Sequence, residues 1–168
     1  MGGAGLVFTE MTNISPDARI SPGCAGIWSE EHCHKWSHIV DFIHQQTKAK
    51  VGIQLGHAGR KGATKRPWDG NEQPLDQGGW AVYGPSPIPW SKQNQIPTPM
   101  TRADMDRVIQ DYERAAHFAR QAGFDILELH AAHGYLLSSF LTPLSNQRSD
   151  NYGGCLENRL RFPLEVLE

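Results

Sequence analysis

The sequence predicts an α/β fold built on a parallel sheet, of the (β/α)-barrel kind, and three observations carry that prediction. Short apolar runs at 6–9, 51–55 and 124–130 alternate with stretches of helical periodicity, the wiring of repeated β/α units. The first run is not followed by the G-x-G-x-x-G or P-loop turn that an open, doubly wound nucleotide-binding sheet would show. The third run ends in Glu128-Leu129-His130-Ala131-Ala132-His133-Gly134-Tyr135, which sets two imidazoles and a phenol at the carboxyl end of a strand, where barrel enzymes build their sites.

Leu6 to Thr9 reads as a buried strand behind Gly2, Gly3 and Gly5. Ser29 is the expected N-cap of a helix whose stripe is Trp36, Ile39, Val40 and Ile43, ending near Thr47. Val51 to Leu55 is the second strand. Residues from about Gly56 to Pro99 hold most of the prolines and many glycines, so little regular structure is expected there. Trp68, Trp80 and Trp90 argue against disorder, because disordered segments are poor in large aromatics, and the stretch reads as an ordered excursion able to cover a site. Thr101-Arg102-Ala103-Asp104 forms a capping box with Asp in place of Glu, and Met100 and Met105 hold the staple positions. Met105, Val108, Ile109, Tyr112, Ala116 and Ala119 continue that helix to Gly123, and Phe124 to His130 is the third strand. After a turn at Asp150 to Gly154, the chain is helical again from about Leu156, with Glu157-Asn158-Arg159 as its start.

A chain of 168 residues suffices for one domain with a real core, and a formal charge of -2 argues against a nucleic-acid or anionic-membrane partner. Cys24, Cys33 and Cys155 lie far apart without a C-x-x-C pair, so free thiols and a cytoplasmic location are expected. No apolar run reaches the roughly 18 residues of a membrane helix, and no signal peptide is evident.

Strand alternation places Ile126, Glu128 and His130 on the inward face, with Leu127 and Leu129 toward helices. The same parity turns Gln54 inward, offering an amide suited to the edge of a heteroaromatic ring. His130 and His133 can hold one carbonyl oxygen or one metal, and Tyr135 can supply a proton; no familiar ligand set is completed, so no metal is expected. His32-Cys33-His34 with His38 looks metal-like but reads better as a solvated helix face. Arg60 and Lys61, in the exit loop of the second strand, serve either a phosphate or carboxylate or the surface.

Two segments, Gln54-Leu55-Gly56-His57-Ala58-Gly59-Arg60-Lys61 and His130-Ala131-Ala132-His133-Gly134-Tyr135-Leu136-Leu137, resemble the old yellow enzyme family of FMN-dependent ene-reductases. Matches continue through Gly5 to Glu10, Gly26 to Ser29, Ala122 to Asp125, Leu141 to Arg148, Tyr152 to Gly154 and Glu157 to Arg159. Thr9-Glu10-Met11-Thr12 and Pro87-Ile88-Pro89-Trp90 look most like the reductase half of anthraniloyl-CoA or salicylyl-CoA monooxygenases.

The resemblance implies a TIM-type (β/α)₈ barrel of which residues 1–168 supply about three βα units, roughly strands two to four, with the long Pro/Gly/Trp-rich loop between two of them. It implies FMN and NAD(P)H as cofactors and an α,β-unsaturated carbonyl or a dearomatised aryl-CoA thioester as substrate. Gln54 would bind the flavin pyrimidine edge, the backbone around Met11 would lie near the isoalloxazine, His130 and His133 would grip the substrate carbonyl, and Tyr135 would protonate the α-carbon. The parent enzyme would be compatible with homo-oligomers. A complete barrel takes typically ~250 residues, so the chain alone is expected to bind FMN poorly and to be inactive, with exposed sheet edges. An inactive remnant or interaction module derived from such an enzyme is the alternative, and a metal-dependent barrel hydrolase a third.

Overall fold

The computed structural model describes residues 2–70 and 72–168. Its centre is a three-stranded parallel sheet in the order β1-β2-β5, from β1 (Leu6–Asn13), β2 (Lys50–Gly56) and β5 (Ile126–Leu129). Helix α1 (Glu30–Gln46) joins the first two strands. A long excursion holding α2 (Pro67–Gly70), β3 (Tyr83–Gly84) and β4 (Thr98–Pro99), followed by α3 (Arg102–Gln121), joins β2 to β5. The short helix α4 (Leu136–Leu141) and α5 (Leu156–Leu167) complete the chain.

The helix starts form as their side chains dictate. Ser29 Oγ accepts from His32 N at 3.3 Å. Thr101 and Asp104 form the complete reciprocal box, Asp104 N to Thr101 Oγ1 at 3.2 Å and Thr101 N to Asp104 Oδ2 at 2.8 Å. Each satisfies donors that a helix end leaves orphaned. Gly123, at φ +90°, follows α3 in the left-handed conformation that glycine adopts at little cost.

One face of the sheet is dry. Val51, Ile53 and Leu55 of β2 are buried, and the last two share one core with Met105, Val108, Tyr112, Ala115 and Ala119 of α3. Phe140 of α4 and Phe162 of α5, ring centroids 4.6 Å apart and both fully buried, extend that core. On the opposite face Leu6, Phe8 and Ile126 are each more than two-fifths exposed, as the interior of an incomplete barrel would be. Leu127, expected to be covered by helices, is 41% exposed, because β5 is an edge strand. No helix among the described residues is long and apolar enough to cross a membrane, and all three cysteines are free.

Further expectations need correction, beginning with the first strand, expected to be buried: Leu6 and Phe8 are exposed on the face a complete barrel would enclose. β1 runs four residues past Thr9 and carries a register shift between Phe8 and Met11, which pair with Gly52 and Gln54 respectively. The extra residue brings Phe8 and Met11 to the same face although they are three apart, which simple alternation forbids. Between the third strand and the helix expected from about Leu156, where no further helix was expected, the chain forms α4. Finally, the His32–His38 cluster is a solvated face only in part: His34 and His38 are exposed, His32 is half-buried and Cys33 is buried. Cys33 is buried with Sγ donating to Phe118 O at 3.4 Å, His32 packs edge-on against Trp28, and only His34 and His38 face each other. Among the described residues no three His, Cys, Asp or Glu side chains converge as metal ligands.

His57, at the exit of β2, is fully buried; its Nδ1 accepts from Gly59 N at 3.0 Å and its Nε2 has no partner. Burial pushes its pKa down to about 4, opposed by nearby Asp17 and assisted by Arg107. Above pH ~6.5 the ring is neutral in both folded and unfolded chains; between ~6.5 and 4 only the unfolded chain takes up the proton. Acidification across that window should therefore remove about 3 kcal/mol of stability. Urea unfolding of the wild type and of His57→Asn at a series of pH values checks this, since other groups titrate in both proteins. Parallel losses in the two would contradict it.

Candidate functional site

The two histidines, the tyrosine and Gln54 come together at the carboxyl end of the sheet, each for a local reason. Gln54 lies between Met11 and Glu128 across the three strands. Its Nε2 donates to Glu128 Oε1 at 3.0 Å, and because a carboxylate only accepts, this fixes the amide orientation and leaves Oε1 as a free acceptor. Beyond it, Gly56 has no side chain to fill the face. A methyl group there would lie 2.5 Å from Met11 Cγ and 3.4 Å from His130 Cβ, so Met11, Gly56 and His130 are neighbours on one shelf.

His130 follows β5 and is 6% exposed. Its Nδ1 accepts from Ala132 N at 3.1 Å, so its proton sits on Nε2 and points to His133 Nδ1, 3.1 Å away. By the same logic the proton of His133 sits on its Nε2. Burial first, then the neighbouring His133, lowers the His130 pKa, and the ring is held neutral. The pair thus spends one N–H internally and keeps one for a ligand. His133 (φ 57°) and Gly134 (φ +75°) are both left-handed, a strained turn for a residue with a side chain and a placement typical of functional sites. That turn reverses the chain so that Tyr135 lands beside His130, ring centroids 4.9 Å apart. Tyr135 is the N-cap residue of α4; its N–H donates to Ala132 O at 3.1 Å, and Ser138 Oγ reaches the same carbonyl at 2.9 Å. Burial, and beyond it the proximity of Cys24 and Glu72, raise the Tyr135 pKa above that of a free phenol, so the hydroxyl keeps its proton at neutral pH.

The excursion closes over this turn, as its tryptophans suggested. A methyl on Gly134 would meet the Trp90 ring at 2.9 Å. Lys61 Nζ lies 4.1 Å from the Trp90 centroid, 5.4 Å from that of Tyr135 and 3.1 Å from Glu72 Oε1. Arg60 donates to the carbonyls of Ile88 and Pro89 at 3.3 and 3.4 Å. Both cations therefore fasten the loop, and the carboxylate that Lys61 holds is that of Glu72. Trp90, Glu72 and Cys24 were not singled out as site residues from sequence, because their contacts with the turn and the cleft are long-range. Together with Tyr135 and Lys61 they line a cleft of about 490 Å³.

The shelf fits a flavin-like ring on its own chemistry. Gln54 offers a free acceptor and a second amide hydrogen along one edge, and Gly52 and Gly56 are overlain by the Phe8 ring and the flexible Met11 side chain rather than by backbone.

The profile described as the NADH:flavin oxidoreductase / NADH oxidase family matches residues 1–168. A NADPH dehydrogenase of Bacillus velezensis is 43% identical over the whole chain, which covers 45% of that relative. A NADH:flavin oxidoreductase of Gibberella zeae is 41% identical over 99% of the chain and 41% of its own length. Among solved structures, morphinone reductase superposes with a TM-score of 0.84 at 32% identity, covering 98% of this chain and 45% of that one. Morphinone reductase in complex with tetrahydroNAD gives the same TM-score at 33% identity, covering 98% of this chain and 47% of that one. The chain spans about half the length of the relatives it matches.

Proposed function

Because the chain belongs to the NADH:flavin oxidoreductase / NADH oxidase family, we propose that residues 1–168 form one structural unit supplying the substrate-gripping and proton-donating wall of an FMN-dependent NAD(P)H oxidoreductase. The whole enzyme would be a (β/α)₈ barrel acting on activated carbon–carbon double bonds. The observation that carries the proposal is the convergence of His130, His133 and Tyr135 at the end of β5, beside a shelf that ends in Gln54.

FMN, when bound and reduced by NAD(P)H, supplies the hydride. Gln54 would hold its pyrimidine edge and the backbone around Met11 would lie against the ring. The residues of this chain do the rest. His133 Nε2–H donates to the substrate carbonyl, and His130 Nε2–H joins it once the two rings part, drawing electron density from the β-carbon. The Tyr135 hydroxyl delivers its proton to the α-carbon, and the Trp90 ring packs over Gly134 of the turn that presents it. The substrate is a small molecule carrying such a carbonyl, an enone or a dearomatised aryl-CoA thioester. The name NADPH dehydrogenase, carried by the Bacillus velezensis relative, supports NADPH as reductant.

Titration with FMN of the whole enzyme that contains residues 1–168 tests this, because the 168-residue chain by itself is expected to bind flavin poorly. The expected result is a bound-flavin absorption band that bleaches on addition of NADPH and returns on addition of an enone, with Gln54→Ala weakening flavin uptake. A protein that takes up no flavin and oxidises no NADPH would instead fit the interaction-module reading.

A further inference from the structure

The cleft lined by Tyr135 is lined also by side chains that the proposed reaction leaves unused. Lys65, Arg66 and Trp68 line it at the start of α2. Trp68 is 76% exposed, an indole surface of the kind that marks a binding contact when it borders a cleft. The Arg66 guanidinium lies 5.4 Å from its ring centroid, and Arg66 Nε is 2.6 Å from Asp69 Oδ2. Lys65 Nζ is paired at 2.9 Å with Asp76, whose side chain is 82% exposed, so its carboxylate can give way to a ligand at little cost. The acids on the cleft wall are Glu10 and Glu72, and Glu72 is already engaged by Lys61. A bare indole next to two cations with exchangeable partners is the chemistry that receives a flat heteroaromatic base carrying phosphates.

We propose that Lys65, Arg66 and Trp68 form a subsite for an adenosine diphosphate group, with the indole stacking the adenine and the two cations taking the phosphates. The subsite stands on its own side chains; its place in a reaction rests on the function proposed above, since Tyr135 lines the same cleft. Two molecules of that reaction carry the group, the pyridine nucleotide reductant and a coenzyme A thioester substrate, and both would be anchored alike.

Calorimetric titration of the flavin-free protein with ADP, NADPH and coenzyme A, at low and high salt, tests the assignment. ADP is expected to bind, more weakly as salt rises, and Trp68→Ala to weaken it about tenfold or more. The double variant Lys65→Gln/Arg66→Gln should weaken it similarly and flatten the salt dependence. Tighter binding of NADPH than of coenzyme A identifies the reductant as the source, and the reverse order identifies the thioester. Absence of ADP binding, equal affinity in Trp68→Ala, or equal displacement by benzoate would overturn the proposal. All three substituted side chains are partly or largely exposed, and far-ultraviolet circular dichroism confirms that the variants fold. Flavin uptake and NADPH oxidation by the whole enzyme are separate readouts: ADP binding without them sinks the proposed function alone, whereas NADPH oxidation with the KM for both NADPH and a coenzyme A thioester unchanged in Trp68→Ala sinks the subsite alone.

Discussion

Tyr135→Phe in the flavin-loaded enzyme should lower the rate of alkene reduction by about 10²- to 10⁴-fold, the range a positioned general acid contributes, while leaving flavin reduction by NADPH near its original rate. The substitution keeps the ring, and with it the contact with His130 and the N-cap position, which depends on backbone rather than on the hydroxyl. Only the proton is lost. Because the Tyr135 pKa is raised, any alkaline fall in the wild-type rate through loss of this acid should lie above the range in which a free phenol ionises, and that limb should vanish in the variant. Stopped-flow measurement of the two half-reactions decides the matter. An equal fall in both would mean that the phenol shapes the site rather than donating a proton.

The placement of Tyr135 beside His130 was legible in the sequence because the turn that joins them is local. The strand end, the turn through His133 and Gly134, and the phenol lie within six positions, and strand parity turns His130 inward. The capping box at Thr101 and Asp104 and the cap at Ser29 were legible for the same reason, each being a contact between residues three apart. The β1 bulge was not, since nothing in Leu6 to Asn13 marks the extra residue and alternation assigns Met11 to the wrong face. Helix α4 escaped notice because it is one and a half turns long, starts at a tyrosine without a side-chain cap bond, and is held chiefly by burial of Leu136, Leu137 and Phe140. Arg60 and Lys61 were ambiguous because their partners, the carbonyls of Ile88 and Pro89 and the Glu72 carboxylate, lie 11 to 29 positions away in a segment without periodicity.

Gly59→Ala should destabilise the fold by about 3 kcal/mol and displace Tyr135 along with it. Gly59 sits at φ +57° in the tight turn Gly59–Lys61, and a methyl there would lie 2.9 Å from Leu136 Cα and 3.0 Å from Leu136 N. Both are backbone atoms of the first residue of α4, so no side chain can rotate out of the way. Leu136 N is also tied to His57 O at 2.9 Å, the bond that docks α4 against the exit of β2. The left-handed conformation costs a residue with a Cβ about 1–2 kcal/mol, and overpacking adds about 1–3 kcal/mol. Gly154→Ala separates the two contributions, because Gly154 is also left-handed, at φ +79°, and a methyl there meets nothing within 4 Å. It should therefore cost only the conformational share. Denaturant unfolding of both variants measures the difference, and loss of alkene reduction beyond the loss of folded protein in Gly59→Ala would show that the second strand's exit turn holds the proton donor in place. Equal destabilisation of the two variants would mean that α4 yields freely and that the position of Tyr135 is set by the His133–Gly134 turn alone.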